Sequence, residues 1–239
     1  IDYGPYGWVD DFDPGWTPNT TDASGKRYAF GRQPGVAHWN LARLGDALAT
    51  LGVDVASLRA ALEKYESTYG VAINRVYSEK FGLYQWQDAE GDVMDAAFSM
   101  LMESEMDMTI FFRALAAAED VDAIKDAFYL DGQWQPARDK WAAWFVRYRA
   151  LIAEQNPSPT QLAARVKRMN AANPKYVLRN YLAQQAIDAA HGGDYSKIDE
   201  LLDVMRKPYD EQPGREAFAM KRPDWARTKA GCSMLSCSS

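Results

Sequence analysis

The chain has 239 residues, with 27 Lys+Arg against 33 Asp+Glu for a formal net charge of −6; 47% of it is apolar, 13% aromatic, and it carries 2 Cys and 2 His. That composition excludes collagenous, disulfide-scaffold and disordered classes, and the length suffices for one large or two small domains with a buried core. No stretch approaches the roughly 18 consecutive apolar residues of a membrane span, and mild acidity argues against a nucleic-acid partner, so a soluble, cytoplasmic protein without membrane contact is expected.

The first residue is Ile1 rather than Met, leading straight into Asp2-Tyr3-Gly4-Pro5. An apolar residue entering a turn reads as the end of a strand, and the chain is expected to be the C-terminal portion of a longer protein. Residues 1–35 hold Gly4, Gly7, Gly15, Gly25, Gly31 and Gly35 with Pro5, Pro14, Pro18 and Pro34, a density that breaks the backbone into turns. Tyr3, Tyr6, Trp8, Phe12, Trp16, Tyr28 and Phe30 lie in the same stretch, and so many rings predict an ordered loop region rather than a linker.

From Pro34 onward the period changes to that of a helix face, with Leu41, Leu44, Leu48 and Leu51 at steps of three or four. Leu58, Leu62, Tyr65 and Tyr69 repeat it after a candidate N-cap at Asp54. Further helices are predicted near 73–82, 88–103, 105–118, Val121–Phe128, Trp141–Ile152, Thr160–Met169, Lys175–Ala190 and Ser196–Met205. Gly132, Pro136, Pro157, Pro159, Pro174, Gly192-Gly193 and Pro208 are read as breaks between them. The Trp141, Trp144, Phe145, Tyr148 stripe is at helical spacing and is expected in the core, and no run of strict alternation announces a long strand. Residues 36–207 form the helical part, and residues 208–239, with Pro213, Gly214, Pro223 and Gly231, an irregular tail.

The excess acid is concentrated at one end. Asp2, Asp10, Asp11, Asp13 and Asp22 precede the first basic residue, Lys26. Taken singly, Asp10, Asp11, Asp13 and Asp22 are best read as turn and cap residues, whose carboxylates bond to nearby backbone N–H groups. An EF-hand is excluded, since Gly15 stands at an acidic ligand position and no Glu closes the loop. Asp2 differs because an aromatic residue and then Gly4 follow it. An Asp-aromatic-Gly turn holds Mg²⁺ against nucleotide phosphates in protein kinases, although one carboxylate alone is not a metal site.

The blocks Ile1-Asp2-Tyr3-Gly4-Pro5-Tyr6-Gly7-Trp8, Asp10-Asp11-Phe12-Asp13-Pro14, Gly25-Lys26-Arg27-Tyr28-Ala29-Phe30, Gln33-Pro34 and Trp39-Asn40-Leu41-Ala42-Arg43-Leu44 resemble the SelO (YdiU-type) family of protein adenylyltransferases. Asn173-Pro174-Lys175-Tyr176-Val177-Leu178-Arg179-Asn180-Tyr181-Leu182-Ala183-Gln184 resembles that family's C-terminal helix signature, and Pro223-Asp224-Trp225 with Ser236-Cys237-Ser238-Ser239 resembles its tail. Residues 51–170 match only loosely. The resemblance implies a mainly α chain, the helical C-terminal lobe of a protein-kinase-like fold. It implies AMP transfer from ATP, with Mg²⁺ or Mn²⁺, to Ser, Thr or Tyr hydroxyls of protein substrates. Asp2 matches the family's metal- and nucleotide-binding Asp. The family's base, metal-binding Asn and phosphate-binding Lys and Arg fall upstream of Ile1, so the resemblance predicts that this chain requires a missing N-terminal lobe and is inactive alone.

Cys232 and Cys237 are separated by four residues, which matches neither a C-x-x-C redox motif nor a zinc pattern. By the resemblance, Cys237 is the family's redox-active position. Some relatives carry a further Cys in the loop after the acidic run; this chain has Pro18 or a neighbour there, so an internal bond would use Cys232. His38 and His191 are read as structural. Arg179 and Asn180, inside an apolar helical pattern, are expected to form a structural ion pair or to contact the N-terminal loop. Two other readings stand beside the enzyme: a non-catalytic helical binding or redox-responsive module, and an inactive gene remnant.

Overall fold

The computed structural model describes residues 7–17, 19, 24–85 and 88–232. Eight α-helices dominate them: α1 (Gln33–Ala49), α2 (Val55–Phe81), α3 (Asp88–Glu103), α4 (Met108–Ala117), α5 (Asp131–Glu154), α6 (Pro159–Ala172), α7 (Asn180–His191) and α8 (Ser196–Met205). Strand pairing is sparse; isolated bridges join Asp11 to Asp107 and Met106 to Phe128.

Local chemistry sets most of the boundaries. Asp54 caps α2 by accepting from the Ser57 N–H at 2.8 Å, as its position predicts, and Ser158 with Gln161 closes a reciprocal capping box on α6. Helix α2 ends at Gly82, whose φ of 70° is left-handed. A Cβ there would stand 2.5 Å from Met169 Sδ of α6, so only glycine lets the two helices approach this closely.

Three boundaries differ from the sequence reading. The patterns at 58–69 and 73–82 are one continuous helix, α2, because Gly70 lies in its interior and a single helical glycine weakens without breaking. Gly132 and Pro136 do not end anything: α5 runs through both from Asp131. Trp134, buried 5.2 Å from the Phe128 ring, rewards that first turn more than the missing proline N–H penalises it. Conversely, α7 begins only at Asn180. Residues 175–179 are not helical; Tyr176 and Val177 are buried, and the N–H groups of Lys175 and Tyr176 both reach Pro208 O. The segment Val121–Ala127 is helical as predicted but of the tighter 3-10 kind.

The core lies between the C-terminal end of α2 and helices α3 to α6. Phe81, Phe111, Phe112, Trp141, Trp144 and Tyr148 are all buried, and Trp144 stacks on Tyr148 with ring centroids 4.9 Å apart. The buried indole N–H of Trp144 donates to Val93 O at 2.7 Å, and the Tyr148 hydroxyl donates to Phe81 O, so these two side chains bring their polar atoms inside already paired. A second, smaller cluster joins α7 and α8 to the tail through Tyr181, Leu182, Ala186, Leu201, Ala226 and Cys232. Helix α1 buries no residue completely; it lies alongside α2, and Tyr65 of α2 donates to Pro34 O at its start.

Candidate functional site

Residues 8–12 are fastened to the helical body at several points. Asn180, the first residue of α7, pairs with the Trp8 backbone in both directions: Trp8 N–H donates to Oδ1 and Nδ2 donates to Trp8 O, each at 2.9 Å. Arg179, one position earlier, is fully buried and donates to Asp107 through both terminal nitrogens, at 2.6 and 3.2 Å, and to Asp10 at 3.3 Å. The Phe12 N–H donates to Met106 O at 2.9 Å, and the Phe12 ring stacks on Phe98 of α3. Arg179 and Asn180 thus make both the ion pair and the loop contact expected of them, from the N-cap and first turn of α7 rather than from a helix interior.

Asp107 joins these elements. It is the N-cap of α4, accepting from Ile110 N–H at 3.0 Å, and it also accepts from the Tyr129 hydroxyl at 2.8 Å. Its carboxylate therefore serves a helix end, a guanidinium and a phenol together while fully removed from water. Arg222 of the tail closes the far side: its Nη2 lies 2.9 Å from Asp11, its Nη1 3.9 Å from Asp10, and its backbone N–H donates to the Tyr129 oxygen at 3.4 Å.

Burial disfavours charge at Asp10, Arg179 and Tyr129. It pushes Asp10 up to about 6, against the pull of Arg179 and Arg222. Burial opposes the charge of Arg179, yet Asp107, with Tyr129 and Asp10, more than offsets it and holds the guanidinium above its ordinary range. Tyr129 is raised, by burial first and then by the Asp107 and Asp10 charges, and so remains a hydrogen-bond donor.

The acidic run divides. Asp13 accepts from Gly15 N–H at 2.8 Å, the turn role read for it. Asp10 and Asp11 do not act as turn or cap residues; they face arginines that lie 169 to 212 positions away in sequence. Asp22 lies outside the described residues. Among the described residues no group of three or more His, Cys, Asp or Glu side chains could hold a metal ion.

Asp2 and Cys237 also lie outside the described residues. Cys232 is buried against α7 with a free thiol, and burial raises its pKa. His38 stacks on Tyr65 at 5.4 Å and stands 3.9 Å from Glu66, whereas His191 is exposed at the end of α7. Sequence reasoning missed Asp107, Tyr129 and Arg222. Asp107, just ahead of the apolar run Met108–Phe112, carried a readable N-cap signal; the other two carried none.

Comparison with known proteins supplies the remaining context. The profile of the family described as Protein adenylyltransferase SelO matches residues 1–206. Proteins named Protein nucleotidyltransferase YdiU are similar over the whole chain: 52% identical in Xanthomonas campestris pv. campestris (strain B100), 50% in Tolumonas auensis and 51% in Methylobacillus flagellatus. Each alignment covers 100% of this chain and 46% of the relative, so the chain spans about half the length of the curated relatives it matches. No helix among the described residues is long and apolar enough to cross a membrane.

Proposed function

The chain belongs to the SelO family of protein adenylyltransferases, and from that premise we propose that it is the C-terminal helical part of an enzyme that transfers AMP from ATP to Ser, Thr or Tyr hydroxyls of other proteins. In this reading it forms the helical lobe of a kinase-like fold, with residues 1–35 beside the nucleotide, 36–207 as the body and 208–239 as the tail. Asp2 is the metal- and nucleotide-binding carboxylate.

The observation that supports this most is the anchoring of residues 8–12. A metal-binding turn must be held to within a fraction of an ångström to act on phosphates, and the chain a few residues beyond Asp2 is tied at Trp8, Asp10, Asp11 and Phe12 to the start of α7, the tail and Met106. A hard carboxylate suits Mg²⁺ or Mn²⁺ as one ligand among phosphate oxygens, water and upstream residues. The ion, when bound, supplies charge neutralisation at the phosphates. The roles of this chain are to present Asp2 and to support it. Abstraction of the acceptor hydroxyl proton and binding of the leaving pyrophosphate fall to residues outside the chain.

In the full-length protein, Asp2→Ala is expected to abolish magnesium-dependent ATP binding measured by calorimetry, and unchanged affinity overturns the assignment. A peptide of residues 1–239 alone is expected to give no ATP-dependent labelling of proteins.

A further inference from the structure

A cleft of about 760 Å³ opens between α1, the loop before it and the C-terminal half of α2. Phe12, Phe30, Tyr65, Tyr69 and Tyr77 give it ring-rich walls, and Lys80 is the one charged side chain among the described residues that line it. Lys80 is held in place. Its Nζ donates to Asn173 Oδ1 at 2.7 Å and lies 4.4 Å from the centre of the Phe112 ring. Asn173 is itself buried, and its Nδ2 donates to Lys80 O and Met169 O, each at 2.9 Å. The residue that opens the Asn-Pro-Lys-Tyr stretch therefore grips both the backbone and the ammonium of Lys80.

An ammonium has three donors, and Asn173 takes one. Burial lowers the Lys80 amine to about 8, and no carboxylate offsets that loss. The group is still mostly charged at neutral pH and stands in an apolar, aromatic cavity without a counter-charge among the described residues, an arrangement that favours an anion arriving from solution. The volume is that of a small-molecule site. We propose that this cleft binds a small organic acid with an aromatic or branched aliphatic body, its carboxylate seated on Lys80 and its body against the tyrosine rings. The assignment does not depend on AMP transfer.

The test is calorimetric titration of the full-length protein with phenylpropionate and with its neutral amide, phenylpropionamide. The acid is expected to bind about tenfold or more tighter than the amide, the margin of a charge-assisted hydrogen bond. Lys80→Met should erase that difference and Lys80→Arg should keep it. Ala37→Trp, which adds a ring to the α1 wall of the cleft, should remove binding of both compounds. Equal affinity for acid and amide, or no saturable binding of the acid up to millimolar concentration, overturns the proposal. Tighter binding of a peptide ending in Phe than of the free acid overturns the small-molecule assignment in favour of a chain terminus.

Discussion

The aromatic core between α2 and α6 and the ionic junction around Arg179 are both dry, yet they are held by opposite means. In the core, large side chains meet many neighbours, each contact small and none indispensable. At the junction, Asp10, Asp107, Arg179, Tyr129 and Arg222 meet in a handful of short polar contacts, each of which answers a charge that would otherwise be stranded. A core of this kind tolerates exchange of similar volumes, whereas a junction of this kind tolerates almost no single deletion, because what remains is a buried ion. The second design trades robustness for definition: it fixes one path for the chain through residues 8–12.

Three experiments on the full-length protein would break or sharpen that contrast, each read by denaturant unfolding. Arg179→Ala has the largest expected effect, a loss of about 3–5 kcal/mol, since it leaves the buried Asp107 without its guanidinium and Asp10 with only the more distant Arg222; adding Asp107→Asn should recover part of it. A smaller loss upon Arg179→Ala would mean that water enters the junction freely. Leu115→Ala, in the core of α4, should cost about 3 kcal/mol through the cavity it leaves, with no dependence on pH between 4 and 7.

Asp10→Asn should have the smallest effect, and one that titrates. Burial raises the folded-state pKa of Asp10 from 3.8 to about 6, so the folded protein holds this proton more tightly than the unfolded chain does. The stability this contributes is fully present below pH 4 and is lost as pH rises through about 6. The stability of Asp10→Asn relative to the parent should therefore climb by on the order of 2 kcal/mol from pH 4 to pH 7. A flat difference would place Asp10 in contact with solvent.

Much of the helical body was legible because its signals are local. Ser196–Met205 and the region of α3 follow from periodicity between clear breaks, and Asp54 from its place before an apolar run. Failures came where tertiary packing outweighed a local rule. Pro136 lies inside α5 because Trp134 is buried, and the apolar residues at 176–177 are buried in an extended segment rather than on a helix face. At the junction, the presence of a partner for Arg179 could be inferred, since a charge amid apolar neighbours demands one. Its identity could not: Asp107 is 72 positions away and Asp10 is 169, and nothing local distinguishes them from the other carboxylates. Lys80 was hidden for the same reason, an ordinary lysine in sequence whose isolation is created by Asn173 and the rings around it.

The double hydrogen bond between Asn180 and Trp8 has a further consequence when set beside its neighbour. A side-chain amide there imitates a peptide unit, so two consecutive residues, Arg179 and Asn180, read two points on the opposing chain, Asp10 and Trp8, that are two residues apart. Together they act as a ruler of chain length. Inserting or deleting one residue at position 9 would leave either the amide or the guanidinium facing the wrong atom, which makes the spacing between these two anchors, more than the residue between them, the property that cannot drift.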